Sequence, residues 1–220
     1  MVSDFKKKLQ QDEPVLVINP DHPYPSLIEY LGRLPVDAVF IDCEQGSADV
    51  ETVENLARAA RLGGLTSLVR IFSPEDWVIE RYMGRGVDGI VVPRIDTVDQ
   101  AAAVVAGVRY CYPKTWQEKV VSVQIETRSA LDALDDMLKL DGIDSYFIGP
   151  VDLAKSLDLE GDYRHPDVQD AMDDAIARIR GSGKVAGIMV DRGNVSAYVE
   201  KGVQFLYAHV NDFLTLGATE

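Results

Sequence analysis

One stretch constrains the fold of this chain more than any other: Val120 to Ser156, VVSVQIETRSALDALDDMLKLDGIDSYFIGPVDLAKS. Val120 to Ile125 is β-rich and apolar enough for a buried parallel strand, and it stops at Glu126. Ser145 to Ile148 repeats that pattern, followed by Gly149-Pro150 and then Asp152. Between them Leu131, Leu134, Leu138 and Leu140 recur at roughly helical spacing, with Asp132, Asp135, Asp136 and Lys139 on the opposite face. The pattern predicts a β-α-β unit, whose crossover is right-handed in nearly all cases. Both strands then run the same way, so Glu126 and Asp152 emerge together at the C-terminal edge of the sheet.

The rest of the chain repeats this alternation. Strand-like runs fall at Val15 to Ile18, Ala38 to Asp42, Thr66 to Ile71, Gly89 to Pro93, Val185 to Val190 and Phe205 to Val210. Helical periodicity separates them, over Ser26 to Gly32, Val50 to Leu62, Val98 to Val108, Pro166 to Arg180 and Val195 to Lys201. A further helix is expected from Pro74, as first helical residue, to Met83. Residues 1 to 13 read as a short helix or a frayed end. Eight strands alternating with helices predict one (β/α)8 barrel domain over residues 1–220, with a doubly wound open sheet as the alternative. About ten residues follow the last strand, so the C-terminal helix is expected to be truncated, leaving that corner open or covered by another segment or subunit.

Composition narrows the function classes. A net charge of −14 argues against nucleic acid as partner, because phosphate binding needs clustered Lys and Arg. No run of about 18 apolar residues suggests a membrane span, and no signal-peptide pattern follows Lys6-Lys7-Lys8, so a cytoplasmic location is expected. Cys43 and Cys111 lack metal-finger spacing and fit a reducing compartment. No glycine-rich dinucleotide or P-loop motif follows a strand.

Collected, the strand ends bring together Asn19 to His22, Asp42 to Gln45, Arg70, Glu126, Gly149 to Asp152, and His209. Glu126 and Asp152 suit a hard divalent cation with oxygen ligands; Mg, Mn and Co all accept such a set. Alternatively, the two acids cap the helices that follow them. Arg70 offers a planar, permanently charged fork to a carboxylate or a developing enolate oxygen, or it salt-bridges Asp42 or Glu44 and closes the barrel. Gln124 shares a strand face with Glu126, two residues on, and so points into the lumen.

The segments I-D-C-E (Ile41 to Glu44), L-V-R (Leu68 to Arg70), V-P (Val92-Pro93), Q-I-E-T (Gln124 to Thr127), G-I-D-S-Y-F-I-G-P-V-D-L-A (Gly142 to Ala154) and H-P-D-V (His165 to Val168) resemble the HpcH/HpaI family of class II pyruvate aldolases, relatives of the citrate lyase β-subunit. The resemblance spans about Pro14 to Leu214. It implies a TIM barrel of the phosphoenolpyruvate/pyruvate superfamily, a divalent metal on Glu126 and Asp152, and a 2-oxo acid such as pyruvate as substrate. The backbone N–H groups of Val151 and Asp152, after Gly149-Pro150, would hold the substrate carboxylate, since Pro150 has no donor. Arg70 would stabilise the enolate oxygen, Gln124 would orient ligand or water, and Asp42 and Glu44 would support the site from behind. Relatives are commonly oligomeric, so a homo-oligomer is expected.

The departures matter too. The family carries a histidine after the residue matching Glu44, and here that position is Gln45, whose amide cannot accept and return a proton. Gly84 of Gly84-Arg-Gly86 stands where the family carries an Asp before a glycine, the loop Arg109 to Trp116 is short, and little chain remains for the last helix. His22, in the loop after strand one, and His209 are the histidines placed to substitute, and His22 is the favoured candidate. The leading function is a metal-dependent carbon-carbon lyase working through a pyruvate enolate. Two alternatives stand beside it: a 2-oxo acid decarboxylase, hydratase or tautomerase using metal-bound water, and a non-catalytic carboxylate-binding barrel or subunit of a larger assembly.

Overall fold

A computed structural model describes residues 4–219. Eight parallel strands pair in sequence order and close on themselves: β1 (Val15–Asn19), β2 (Ala38–Asp42), β3 (Thr66–Arg70), β4 (Gly89–Val92), β5 (Val120–Ile125), β6 (Ser145–Ile148), β7 (Val185–Met189) and β8 (Phe205–His209). β1 pairs with β8 from Val15 opposite Phe205 to Asn19 opposite His209, which excludes the open sheet. The helices before β5 are α1 (Asp4–Gln10), α2 (Pro25–Leu31), α3 (Val50–Gly63), α4 (Asp76–Met83) and α5 (Val98–Cys111). After it come α6 (Arg128–Met137), α7 (Pro150–Ser156), α8 (Pro166–Gly181), α9 (Val195–Glu200) and α10 (Val210–Thr219).

Each helix forms where its apolar stripe can face the barrel. Val53, Leu56, Ala57 and Ala60 of α3 are buried, as are Val168, Met172, Ile176 and Ile179 of α8. The starts of α5 and α6 are set by Thr97 and Thr127, whose hydroxyls accept from the N–H groups of Gln100 and Ala130. This corrects the expectation that Glu126 or Asp152 caps a helix: Thr127 caps α6, and Asp152 lies inside the first turn of α7. Pro74 does not open α4; the chain stays extended through Glu75, and the helix begins at Asp76, where an acid favours the first turn.

Strand alternation sends one set of residues into the lumen. Val15, Val17, Ala38, Phe40, Leu68, Val91, Val120, Phe147, Val185, Phe205 and Tyr207 form a core of their own there, separate from the larger one between strands and helices. α1 closes the N-terminal end of the barrel, with Phe5 edge-on to Phe205 at 5.8 Å between ring centroids. Its Lys6 is buried and ion-pairs with Asp144 at 2.9 Å. A polar-looking N-terminal segment is thus the plug of the barrel floor.

The last helix is present, although short. α10 continues from β8 without a connecting loop, and among its described residues Val210 alone is buried, leaving Phe213 and Leu214 exposed.

Gly89 marks the tightest strand approach in the lumen. A Cβ there would sit 2.5 Å from the Val120 carbonyl oxygen and 2.9 Å from Leu68. Gly89→Ala is therefore expected to destabilise the barrel by about 1–3 kcal/mol, read as a lower urea midpoint at unchanged m-value.

Candidate active site

The lumen core ends one layer below the C-terminal rim, and there the inward residues turn polar. Asn19, Asp42, Arg70, Gln124 and His209 stand on strands β1, β2, β3, β5 and β8, and Glu126 follows β5 directly. A cavity of about 200 Å³ opens above this layer. Its lining includes Asp42, Gln45, Arg70, Gln124, Glu126, Gly149 to Asp152, Lys155, Tyr207 and His209. The β-α-β unit thus brings its two acids to one cavity, as its parallel strands require.

Arg70 is the hub of the β2–β3 side. Its Nε and Nη2 donate to the two carboxylate oxygens of Asp42 at 2.9 and 2.7 Å, and Nη1 lies 3.1 Å from Glu44. Burial works against the charge on Asp42, but the guanidinium outweighs it and holds the carboxyl below its ordinary range. Glu44 moves the other way, raised by burial with Arg70 only partly offsetting it. The salt bridge and the ligand-holding role are compatible. A guanidinium carries five N–H donors, and these contacts leave two for a ligand.

Glu126 is 3 % exposed and accepts from the backbone N–H of Arg94 at 2.7 Å. Arg94 takes a left-handed conformation, φ 57°, at this contact. Burial, supported by the nearby charges of Glu44 and Asp152, pushes the Glu126 carboxyl up to about 7. Gly149 makes room for that carboxylate, since a Cβ at this position would lie 2.7 Å from Glu126 Oε2. Beside it the side-chain oxygen of Gln124 is buried with no hydrogen-bond partner. Asp152 is more open and pairs with Lys155 at 2.9 Å.

A crowded set of acids with an orphaned amide oxygen fits a cation better than it fits an empty pocket. The donor atoms are all oxygens, which suits a hard divalent ion. Among the described residues no cluster of three or more His, Cys, Asp or Glu is assembled for a metal, so the fit rests on this carboxylate pair.

The histidines are sorted by the fold. His22 is exposed, bonds Asn211 at 3.1 Å and does not line the cavity, contrary to its expected place as the substitute base. His165 accepts from the Asp167 N–H at the start of α8 and does not line the cavity. His209 lines the cavity, its Nδ1 2.6 Å from Asp21 and its Nε2 3.1 Å from the Tyr207 hydroxyl. Sequence reading missed Tyr207 and Lys155 as site residues, and placed Asp21 at the rim, within Asn19 to His22, without giving it a role. The alternation Phe205, Tyr207, His209 carried the signal for the first, because it repeats the inward parity that exposed Gln124 and Glu126.

A closed parallel barrel with an acid pair, a buried arginine and a cavity at the C-terminal ends of its strands is an α/β-barrel enzyme, with its chemistry where that fold places it. The family model described as HpcH/HpaI aldolase/citrate lyase matches residues 21–217, and the chain belongs to that family. It is 35% identical to the 4-hydroxy-2-oxovalerate aldolase of Rhodococcus jostii, over 82% of this chain and 76% of that protein. It is 29% identical to the hydroxypyruvate/pyruvate aldolase of Roseobacter denitrificans, over 93% of this chain and 90% of the relative. Among solved structures, an HpcH/HpaI aldolase/citrate lyase family protein from Burkholderia cenocepacia superposes with a TM-score of 0.90 at 27% identity, covering 99% of this chain and 96% of that one. The chain is a carbon-carbon lyase of the aldolase type.

Proposed function

We propose that the protein cleaves a 4-hydroxy-2-oxo acid into pyruvate and an aldehyde, through the pyruvate enolate. The observation that carries this reading is the convergence of Glu126, Asp152 and Arg70 on one cavity that Gln124, whose buried side-chain oxygen has no hydrogen-bond partner, also lines. The aldolase names of the relatives from Rhodococcus jostii and Roseobacter denitrificans support the same substrate class. Homo-oligomerisation belongs to this reading, supported by the exposed Phe213 and Leu214 of α10.

Glu126 and Asp152 would hold a divalent metal, Mg, Mn or Co. Such an ion, when bound, supplies a Lewis acid that draws charge onto the keto oxygen. The chain's own residues do the rest. The first turn of α7 has no intrahelical acceptors for its N–H groups, so those of Val151 and Asp152 are available to the substrate carboxylate. The two remaining N–H groups of Arg70 face the charge that develops on the enolate oxygen, and the Asp42 and Glu44 contacts hold that fork in place.

The test is deuterium exchange of the pyruvate methyl group in heavy water, followed by NMR on EDTA-treated protein with and without added Mg. Exchange that needs both metal and protein is expected. Pyruvate and metal binding with no exchange, and no cleavage of 4-hydroxy-2-oxo acids, would sink the reading.

The raised carboxyl of Glu126 makes a separate prediction. Its folded-state value of about 7 lies above the ordinary 4.5. In the metal-free protein this contribution to stability is fully present below pH 4.5, and it is lost as pH rises through about 7. Urea midpoints of EDTA-treated protein should fall across that window, and Glu126→Gln should flatten the fall. Metal affinity moves oppositely, rising with pH as the carboxylate forms.

A further inference from the structure

We infer that Tyr207, His209 and Asp21 form the proton relay of this enzyme, in place of the base absent at Gln45. The inference rests on the aldolase reading above. Of the three histidines, His209 alone lines the cavity, whereas the amide of Gln45 in the same lining cannot take up and return a proton.

The geometry assigns each atom a task. Asp21 Oδ1 lies 2.6 Å from His209 Nδ1, and its Oδ2 accepts from the Asn211 N–H at 3.0 Å. That carboxylate fixes the ring proton on Nδ1 and leaves Nε2 as the acceptor. The Tyr207 hydroxyl, 3.1 Å away, donates to Nε2, and its oxygen accepts from Asn19 Nδ2 at 2.9 Å. Asn19 Oδ1 in turn accepts from the Asp21 N–H at 2.9 Å. The network therefore closes on itself across the β1–β8 seam, where Asn19 and His209 are register partners.

Asp21 is held at φ 55°, a left-handed conformation that costs energy for a side chain other than glycine. The same turn aims the carboxylate at the ring. Burial raises the Tyr207 hydroxyl above its ordinary value, so Tyr207 passes a proton on rather than keeping a charge.

In cleavage, the C4 hydroxyl proton of the substrate moves to the Tyr207 oxygen as the Tyr207 proton moves to His209 Nε2. The C3–C4 electrons enter the enolate, and the aldehyde leaves. The imidazolium then returns its proton through Tyr207 to C3, giving pyruvate and neutral His209. No oxidant or second base is needed. Tyr207 and His209 touch the substrate space, and Asp21 is a positioning residue.

The experiment measures three rates on Mg-loaded enzyme: exchange of the pyruvate methyl group, aldol cleavage, and decarboxylation of oxaloacetate. The last breaks its bond by losing carbon dioxide, so it reports on enolate stabilisation without removal of a hydroxyl proton. His209→Gln is expected to lower exchange and cleavage at least about 100-fold, and decarboxylation, which needs no hydroxyl proton removed, by clearly less. Asp21→Asn should lower exchange about tenfold or more through the wrong ring tautomer. Exchange lost in His209→Ala should return with added imidazole, or with Gln45→His in the same chain. Wild-type exchange in His209→Gln overturns the relay. So does a joint loss of all three activities with rescue by neither route, which marks His209 as structural. If the wild-type enzyme itself neither exchanges nor decarboxylates, the enolate reading falls and takes the relay with it.

Discussion

Glu126→Gln is expected to abolish metal-dependent activity, lowering pyruvate exchange and aldol cleavage by about 1,000-fold or more, with metal affinity down by about 10- to 100-fold. The substitution keeps shape and removes charge, so its effect isolates the anion. Glu126 is almost fully buried in the site, and a neutral amide also stabilises the metal-free fold above pH 7, where the native carboxylate is penalised. The variant should therefore unfold at higher urea than the wild type at about pH 8 while losing function. Titration of Mn binding and an exchange assay check the two halves. Equal metal affinity in the variant would remove Glu126 from the ligand set.

Arg70→Leu carries the second large effect, and it strikes activity and stability together. The guanidinium spans Asp42 at 2.7 Å and Glu44 at 3.1 Å, and all three side chains are nearly buried. Removing it leaves two acids without their cation, which costs about 3–5 kcal/mol when a buried pair is broken. It also removes the donors aimed at the enolate oxygen, for which a loss of about 100- to 1,000-fold in kcat is expected. Arg70→Lys separates the two effects. An ammonium keeps the charge and much of the fold, but it cannot contact both oxygens of Asp42 and still reach Glu44 and substrate. Urea unfolding should show Arg70→Lys near wild type, with kcat still depressed. A lysine variant with full kcat would reduce Arg70 to a structural clasp.

The eight strands were legible because a parallel strand buried on both faces is a short, nearly continuous apolar run, and four of the runs here, β1, β2, β3 and β8, end at a polar residue, while β5 is followed by one. The acid pair was legible for the same reason: Glu126 and Asp152 close equivalent runs in one β-α-β unit. α1 was not. Asp4 to Gln10 reads as polar, and only the open floor of the barrel gives Phe5, Leu9 and even Lys6 a place to be buried. The start of α4 was shifted from Pro74 to Asp76, since proline at a boundary permits a helix without requiring one. The C-terminal helix is short, as the length of chain after the last strand implied, and α10 uses nearly all of it because it begins at the residue after β8.

Local order along this chain determined the strand ends, their parity and so which side chains face the lumen, because alternation within a strand is a property of neighbours in sequence. Tertiary structure alone decided which of those rim residues meet. Asp21 and His209 are 188 positions apart, and they touch only because closure of the barrel lays β1 against β8. His22, one residue from Asp21, bonds the Asn211 side chain and does not line the cavity, since the turn after β1, with Asp21 at φ 55°, brings the Asp21 carboxylate and not the His22 ring to His209. No periodicity encodes such a turn, and its direction is set by the Asn19, Asn211 and Tyr207 partners that the closed barrel supplies.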